Sequence, residues 1–207
     1  MSKVLGFYGI ESYDIILSLA MVLHNLDLSV SICDWSKDKS LACTIPGLEE
    51  ESVCEWNDIR VYRDDTIEPT VTDYVIIYFG REENGMELCD EIYLVTDQQK
   101  HNVEMMKNLS VPESVYPVVI YRHFQSKITL KYLKHELEDK GIQDNDYLEI
   151  VDTEASVLHR VMYQYDVSKG FGKMDRGIAE ICKYVAGTDF AENQINTVIL
   201  RMRKARL

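Results

Sequence analysis

The stretch with the most potential for chemistry is Gly9 to Asp14, GIESYD. It lies between the apolar run VLGFY at Val4 to Tyr8 and the helix-like spacing of IILSLAMVLHNL at Ile15 to Leu26. A strand, a glycine-containing loop and a helix in this order make a natural anion site, because loop amides and a helix N-terminus converge on one point. Phosphate chemistry needs more: glycines that let the backbone curl around the phosphates, a lysine that reaches the outer ones, and a Ser or Thr hydroxyl for magnesium. In that register Tyr13 stands where the last glycine belongs, Asp14 replaces the lysine and Ile15 replaces the hydroxyl. A carboxylate repels phosphate, and an isoleucine cannot bind a metal. Gly9, Ile10, Glu11, Ser12, Tyr13 and Asp14 therefore predict a vestigial nucleotide loop. Glu11 and Asp14 interact favourably with the helix dipole and are expected to stand in for the phosphate that a working loop would bind.

Other chemistry is poorly supplied. Ser12 lacks the flanking glycines of a nucleophile elbow and has no histidine near it in sequence, which argues against a hydrolase. The five cysteines (Cys33, Cys43, Cys54, Cys89, Cys182) contain no CxxC pair and read as free thiols of a cytosolic protein. The five histidines (His24, His101, His123, His135, His159) stand alone, so no metal site and no cofactor are expected. Asp34 ends an apolar run, the position where open α/β sheets keep functional groups. It is also where a carboxylate caps the following turn.

The elements that must position these residues follow from runs and turns. SVSICDWS at Ser29 to Ser36 predicts a second buried strand, and strand, helix, strand over this length signals a parallel crossover. Lys37 to Asn57 is polar and irregular, with a Pro46-Gly47 turn and acids from Glu49 to Glu51. DIRVYRD at Asp58 to Asp64 is a short alternating strand, and Thr66 to Asp73 a connector with Pro69. YVIIYFG at Tyr74 to Gly80 is the most apolar strand and belongs at the centre of the sheet. CDEIYLVTD at Cys89 to Asp97 leads into a helix from Gln98 to Leu109, capped by Thr96 or Asp97. VYPVVIYRHF at Val115 to Phe124 is the next strand, and Ser126 is expected to cap a helix reaching Lys140. YLEIVD supplies an edge strand. Ala155 to Tyr165 and Met174 to Val185 are helical around the loop DVSKGFGK. The expected fold is a three-layer α/β domain over residues 1–187, mostly parallel, with helices on both faces.

The 207 residues carry a formal net charge of −13, which repels phosphate backbones and argues against nucleic acid as a partner. MSK leads straight into a strand, and the longest apolar stretch, Ile15 to Leu23, is too short to span a membrane. A cytoplasmic location is expected.

The series VLGFYG, SVSICDWS, DIRVYRD, DYVIIYFG, CDEIYLVTDQQKHNVEMMKNL, VVIYRHF and YDVSKGFGKMDRGIAEICKYV resembles the MinD/ParA-like deviant phosphate-loop ATPases, including the CpaE-like proteins of pilus assembly. The resemblance runs from residue 3 to about residue 186, and CDEIYLVTD followed by a helix is its most specific piece. It implies a P-loop NTPase-like sheet and also shows what this chain lacks. The family's strand matching DYVIIYFG ends in an aspartate that holds magnesium-bound water, where this chain has Tyr78 and Phe79. The strand matching VVIYRHF ends in an asparagine on adenine, where Tyr121 and Arg122 stand. The signature lysine falls near Gly9. Asp34 is kept, but the acidic position two residues on is Ser36. Asp34, Trp35, Tyr78 and Tyr121 are expected at the edge of the vacated pocket.

Residues 188–207, TDFAENQINTVILRMRKARL, read as an amphipathic tail with Ile195, Val198, Ile199 and Met202 on one face and Arg201, Arg203 and Lys204 beside it. Packing, a protein partner and an anionic membrane surface are the three candidates for that face. The stripe is short and has no Trp, so membrane binding by it alone is marginal. The resulting expectation is a non-catalytic pseudo-ATPase, a scaffold for a protein partner that is itself or an active relative, in pilus assembly, secretion or positioning. The alternatives are an ATPase that borrows Lys37, Lys39 or a partner's lysine, and a small-molecule sensor edged by Tyr8, Tyr13, Trp35 and Tyr78.

Overall fold

Strand β5 (Tyr74–Gly80) is buried along its whole length, and its alternate side chains enter two separate cores. Tyr74, Ile76 and Tyr78 pack with α1 (Tyr13–His24), while Val75, Ile77 and Phe79 face the layer of α2 (Lys100–Asn108). A strand that buries both faces reads as an unbroken apolar run, which is why YVIIYFG belongs at the centre. The computed structural model describes residues 2–204 apart from 47, 49–50, 64–71 and 165–173. The expected loop at 166–173, residues 66–71 of the prolyl connector and parts of the Pro46-Gly47 turn and acidic run lie outside the described residues.

Around β5 the described residues form an eight-stranded sheet in the order β3-β4-β2-β5-β1-β6-β7-β8. Its members are β1 (Lys3–Gly9), β2 (Val30–Asp34), β3 (Val53–Trp56), β4 (Ile59–Tyr62), β6 (Glu91–Asp97), β7 (Tyr116–His123) and β8 (Tyr147–Val151). All neighbours are parallel except β3 against β4. Helices α1, α5 (Arg176–Ala186) and α6 (Glu192–Lys204) cover one face; α2 and α3 (Leu130–Glu136) cover the other. The expected three-layer α/β architecture is the observed one. Helix α4 (Glu154–Tyr163) follows β8 at the C-terminal end of the sheet.

Four local readings change. β3 was expected to be irregular; its residues alternate between exposed and half-buried, the pattern of an antiparallel edge strand too short and polar to stand out. Ser126 does not cap a helix. Its hydroxyl accepts from the Ile128 amide within the loop, and α3 begins after Thr129. That helix ends at Glu136, followed by a separate helical turn at Glu138–Lys140. Thr96 is buried in the sheet, while Asp97 accepts from the Gln99 amide at 2.8 Å and so orders the entry to α2.

The tail, left open between three alternatives, joins the core. Of the three candidates for Ile195, Val198, Ile199 and Met202, packing is the one observed and the contact with a partner or membrane is not, since none of the four is more than 7% exposed. They fill the same core as α1 and α5. Burying each aliphatic side chain there is worth about 1.5–3 kcal/mol, more than a short amphipathic stripe gains at a membrane surface after losing that packing. Arg201, Arg203 and Lys204 remain exposed, and Arg203 donates to the Met174 carbonyl at 2.9 Å. Among the described residues no helix is long and apolar enough to cross a membrane.

Candidate functional site

Strands β2 and β5 lie on one side of β1, and β6, β7 and β8 on the other, so the sheet order reverses at β1. Open α/β sheets leave a crevice outside the strand C-termini at such a point. Here it is a cleft of about 610 Å³. Gly9, Ile10 and Glu11 line it from β1; Lys37 and Asp38 from beyond β2; Tyr78, Gly80, Arg81 and Glu82 from β5. Asp97, Gln99, His101 and Asn102 close it from the β6–α2 side, and Arg160 from α4.

Between β1 and α1 only Ile10, Glu11 and Ser12 remain, a three-residue loop. A phosphate cradle needs four residues between its glycines before the lysine. Gly9 sits at φ +123°, and a Cβ there would lie 2.0 Å from the Val95 carbonyl oxygen, so the backbone passes tightly against β6. The Ile10 amide donates to the same carbonyl at 3.0 Å, pinning the loop to the sheet instead of leaving it to curl.

The residues expected to form a vestigial nucleotide loop divide into two groups. Gly9, Ile10 and Glu11 face the cleft; Ser12, Tyr13 and Asp14 are buried behind it. Asp14 accepts two hydrogen bonds from the Arg122 guanidinium, from Nη1 at 2.8 Å and Nη2 at 2.9 Å. Both side chains are almost fully buried, at 4% and 2% exposure. Arg122 Nη2 also reaches Asp152 at 3.3 Å, and Asp152 in turn accepts from Arg160 at 3.4 Å. Burial by itself lowers the pKa of Arg122, but the carboxylates of Asp14 and Asp152 outweigh it and raise the pKa, so the guanidinium stays charged. The expectation of internal phosphate substitutes needs correcting for Glu11. Asp14 alone is consumed inside the fold, through an arginine from β7, while Glu11 is exposed on the cleft.

Tyr13 extends the buried group. Its hydroxyl donates to the Arg160 carbonyl at 3.2 Å and accepts from Gln164 at 2.9 Å, tying the start of α1 to α4. Burial pushes its pKa up to about 12, and Glu11 and Asp14 add to the shift.

Of the four expected pocket-edge residues, only Tyr78 lines the cleft. Asp34 is fully buried and caps the following turn, accepting from the Ser36 amide at 3.0 Å and hydroxyl at 2.5 Å and from the Ala42 amide at 2.8 Å. Burial raises its pKa, and those donors offset part of the rise. Trp35 packs edge-on to Phe79, with ring centroids 5.7 Å apart, and its ring fills the space a Cβ at Gly85 would need. Tyr121 points into the α2 side of the sheet, donates to the Ile128 carbonyl at 3.0 Å and stacks on His123. Its neighbour Arg122 takes the opposite face because successive strand residues alternate. Tyr8 likewise belongs to the α2-side core. Of the two lysines considered, Lys37 lines the cleft and Lys39 donates to the Asp34 carbonyl at 2.8 Å.

Sequence reading missed Arg81, Glu82, Asp97, Asn102 and Arg160 as cleft residues. Arg81 and Glu82 follow directly after β5, Asp97 ends β6 and Asn102 lies in the first turn of α2, and strand C-termini flanking a sheet reversal are the signal that could have found them. Arg160 comes from α4, which the β8 edge delivers to the cleft. Among the described residues no group of three or more His, Cys, Asp or Glu side chains is placed to hold a metal ion.

No family model and no curated protein sequence matches the chain. Solved structures do. A chain of the MinC:MinD cell division protein complex from Aquifex aeolicus aligns with a TM-score of 0.64 at 10% identity, covering 92% of this chain and 98% of that one. Cobyrinic acid a,c-diamide synthase from Mycobacterium smegmatis, with bound ADP and magnesium, aligns at 0.54 and 10% identity over 90% of this chain and 97% of its own. The pNOB8 ParA bound to nonspecific DNA aligns at 0.53 and 12% identity, covering 95% and 99%. The structural neighbours are MinD- and ParA-type P-loop ATPases, and the chain shares their fold.

Proposed function

We propose that this chain is a pseudo-ATPase, a non-catalytic module of MinD/ParA-like, CpaE-like shape that binds a protein partner. The observation carrying the reading is the buried Asp14–Arg122 pair at the start of α1. It places a carboxylate and its internal counter-ion at the helix terminus that phosphates would otherwise occupy, behind a loop of three residues. Opening that seat for a nucleotide would strand one buried charge, at a cost of about 3–5 kcal/mol. Three further departures support it: Ile15 in place of the hydroxyl, Tyr78 and Phe79 at the end of β5, and no lysine between Gly9 and Leu26.

The partner is a protein, a second copy of the chain or an active relative, in pilus assembly, secretion or positioning. Helix α4 supports this with an apolar surface, since Leu158 is 62% exposed and Val161 and Met162 are above 40%. One structural neighbour belongs to a complex with a second protein and another is bound to nonspecific DNA. For this chain the net charge of −13 favours the first kind of contact. The test is calorimetric titration with ATP and ADP in magnesium, beside a thermal melt. No heat and no shift at millimolar nucleotide are expected; saturable binding overturns the reading.

The alternative of a working ATPase rests on Lys37, whose position on the cleft is the observation in its favour. ADP release that disappears in Lys37→Ala would establish it.

A further inference from the structure

We propose that the cleft at the end of β1, β5 and β6 binds a small zwitterion, a molecule that carries an ammonium and a carboxylate as free amino acids and short peptides do. Two neighbouring loops each set a cation and a carboxylate side by side on the rim, Lys37-Asp38 after β2 and Arg81-Glu82 after β5. Glu11 and Asp97 add two carboxylates and Arg160 a third cation. These groups do not neutralise one another. Among the described residues no ion pair joins any two of them, although they share one cleft of about 610 Å³. Arg160 makes its contact with Asp152, behind the cleft, at 3.4 Å.

The cationic side is also held in place. Asn102, only 2% exposed, accepts from Arg81 Nη2 at 3.2 Å and donates to Asp97 Oδ1 at 2.9 Å. Its amide is neutral, so it orients the guanidinium without forming an ion pair with it. A fixed guanidinium fork matches a carboxylate, which assigns the acid end of the ligand to Arg81. Glu11, the exposed middle residue of the three-residue loop, takes the ammonium end.

Ligands of a single sign are disfavoured by the same arrangement. A polyphosphate meets Glu11, Asp38, Glu82 and Asp97, and a simple amine meets Lys37, Arg81 and Arg160. The volume falls within the roughly 300–1,000 Å³ common to small-molecule sites. The proposal does not depend on the scaffold reading, which nucleotide titration tests separately.

The experiment is a thermal-shift screen of the full chain against the twenty free L-amino acids and alanyl-alanine, with acetate, ethylammonium and inorganic phosphate as single-charge controls, followed by calorimetry of any hit. At least one zwitterion is expected to raise the melting temperature while the controls do not. Arg81→Ala and Glu11→Gln should each weaken that binding about tenfold or more, while the ligand-free melting temperature stays near that of the parent. The proposal is overturned if no zwitterion binds, if acetate or phosphate binds as well, or if both variants bind like the parent.

Discussion

Glu11 and Asp14 stand three residues apart at the mouth of the same helix, and the fold treats them as opposites. Asp14 is dry, doubly bonded to Arg122 and tied through Asp152 to α4. Glu11 is wet, unpaired among the described residues and turned into a cleft that still carries charges of both signs. The contrast separates two things that a phosphate loop normally combines, the helix terminus and the crevice. Here the terminus has been built into the core while the crevice has stayed open.

The contrast can be broken first at its buried side. Arg122→Met leaves Asp14 without its counter-ion and Asp152 with Arg160 alone, and should cost about 3–5 kcal/mol in denaturant unfolding. Asp14→Leu combined with Arg122→Met should cost less than that single change, since removing both partners removes the stranded charge. A single variant that costs under about 1 kcal/mol would place the pair in the same class as exposed ion pairs. Glu11→Gln, by comparison, should stay within about 0.5 kcal/mol of the parent.

The tail sharpens the comparison of buried against exposed. Ile195→Ala should cost about 2–5 kcal/mol, whereas Leu200→Ala, on the outer face of α6, should stay within about 0.5 kcal/mol. Equal small losses for both would mean that α6 is not part of the core in solution.

A smaller effect follows from Tyr13. Its pKa rises to about 12 in the folded state against an ordinary 10.0, so its contribution is fully present below pH 10 and is lost as pH climbs from 10 towards 12, where the unfolded chain ionises first. The stability difference between the parent and Tyr13→Phe should therefore shrink by about 2 kcal/mol across that window, read from urea melts at pH 9 and pH 12. A difference that does not change with pH would mean that water reaches the phenol.

The smallest signature is chemical. Burial pushes the thiols of Cys89 and Cys182 up to about 12, while Cys43 is exposed. A disulfide reagent at pH 8 should label Cys43 and leave those two unmodified until the chain is unfolded. Early labelling of Cys182 would signal local opening between α1 and α5.

How far each feature could be read in the sequence depended on the range of the interaction behind it. The central strands, their order of burial and the helices between them were legible because an apolar run or a helical period is a local pattern, set by neighbours within a few residues. β3 was not legible, since a four-residue edge strand buries too little to write a pattern. That GIESYD does not match a phosphate-loop pattern could be read from the residues themselves, because glycines and a lysine are needed at fixed short spacing. What replaced it could not, because Asp14 and Arg122 lie 108 residues apart.

The tail and the pocket edge show the same limit. An amphipathic stripe is identical whether it meets lipid, a partner or the protein's own helices, so Ile195, Val198, Ile199 and Met202 could be assigned only once α1 and α5 were in place. Likewise a strand end names two consecutive residues, and the pleat decides which one faces the site; for β7 it turned Arg122 inward to Asp14 and Tyr121 away. The sequence by itself determined the layered α/β sheet and the absence of a phosphate-binding pattern. Only the tertiary structure decided which charges were sealed in the core and which were left open, because burial and pairing depend on groups that the chain brings together from far apart.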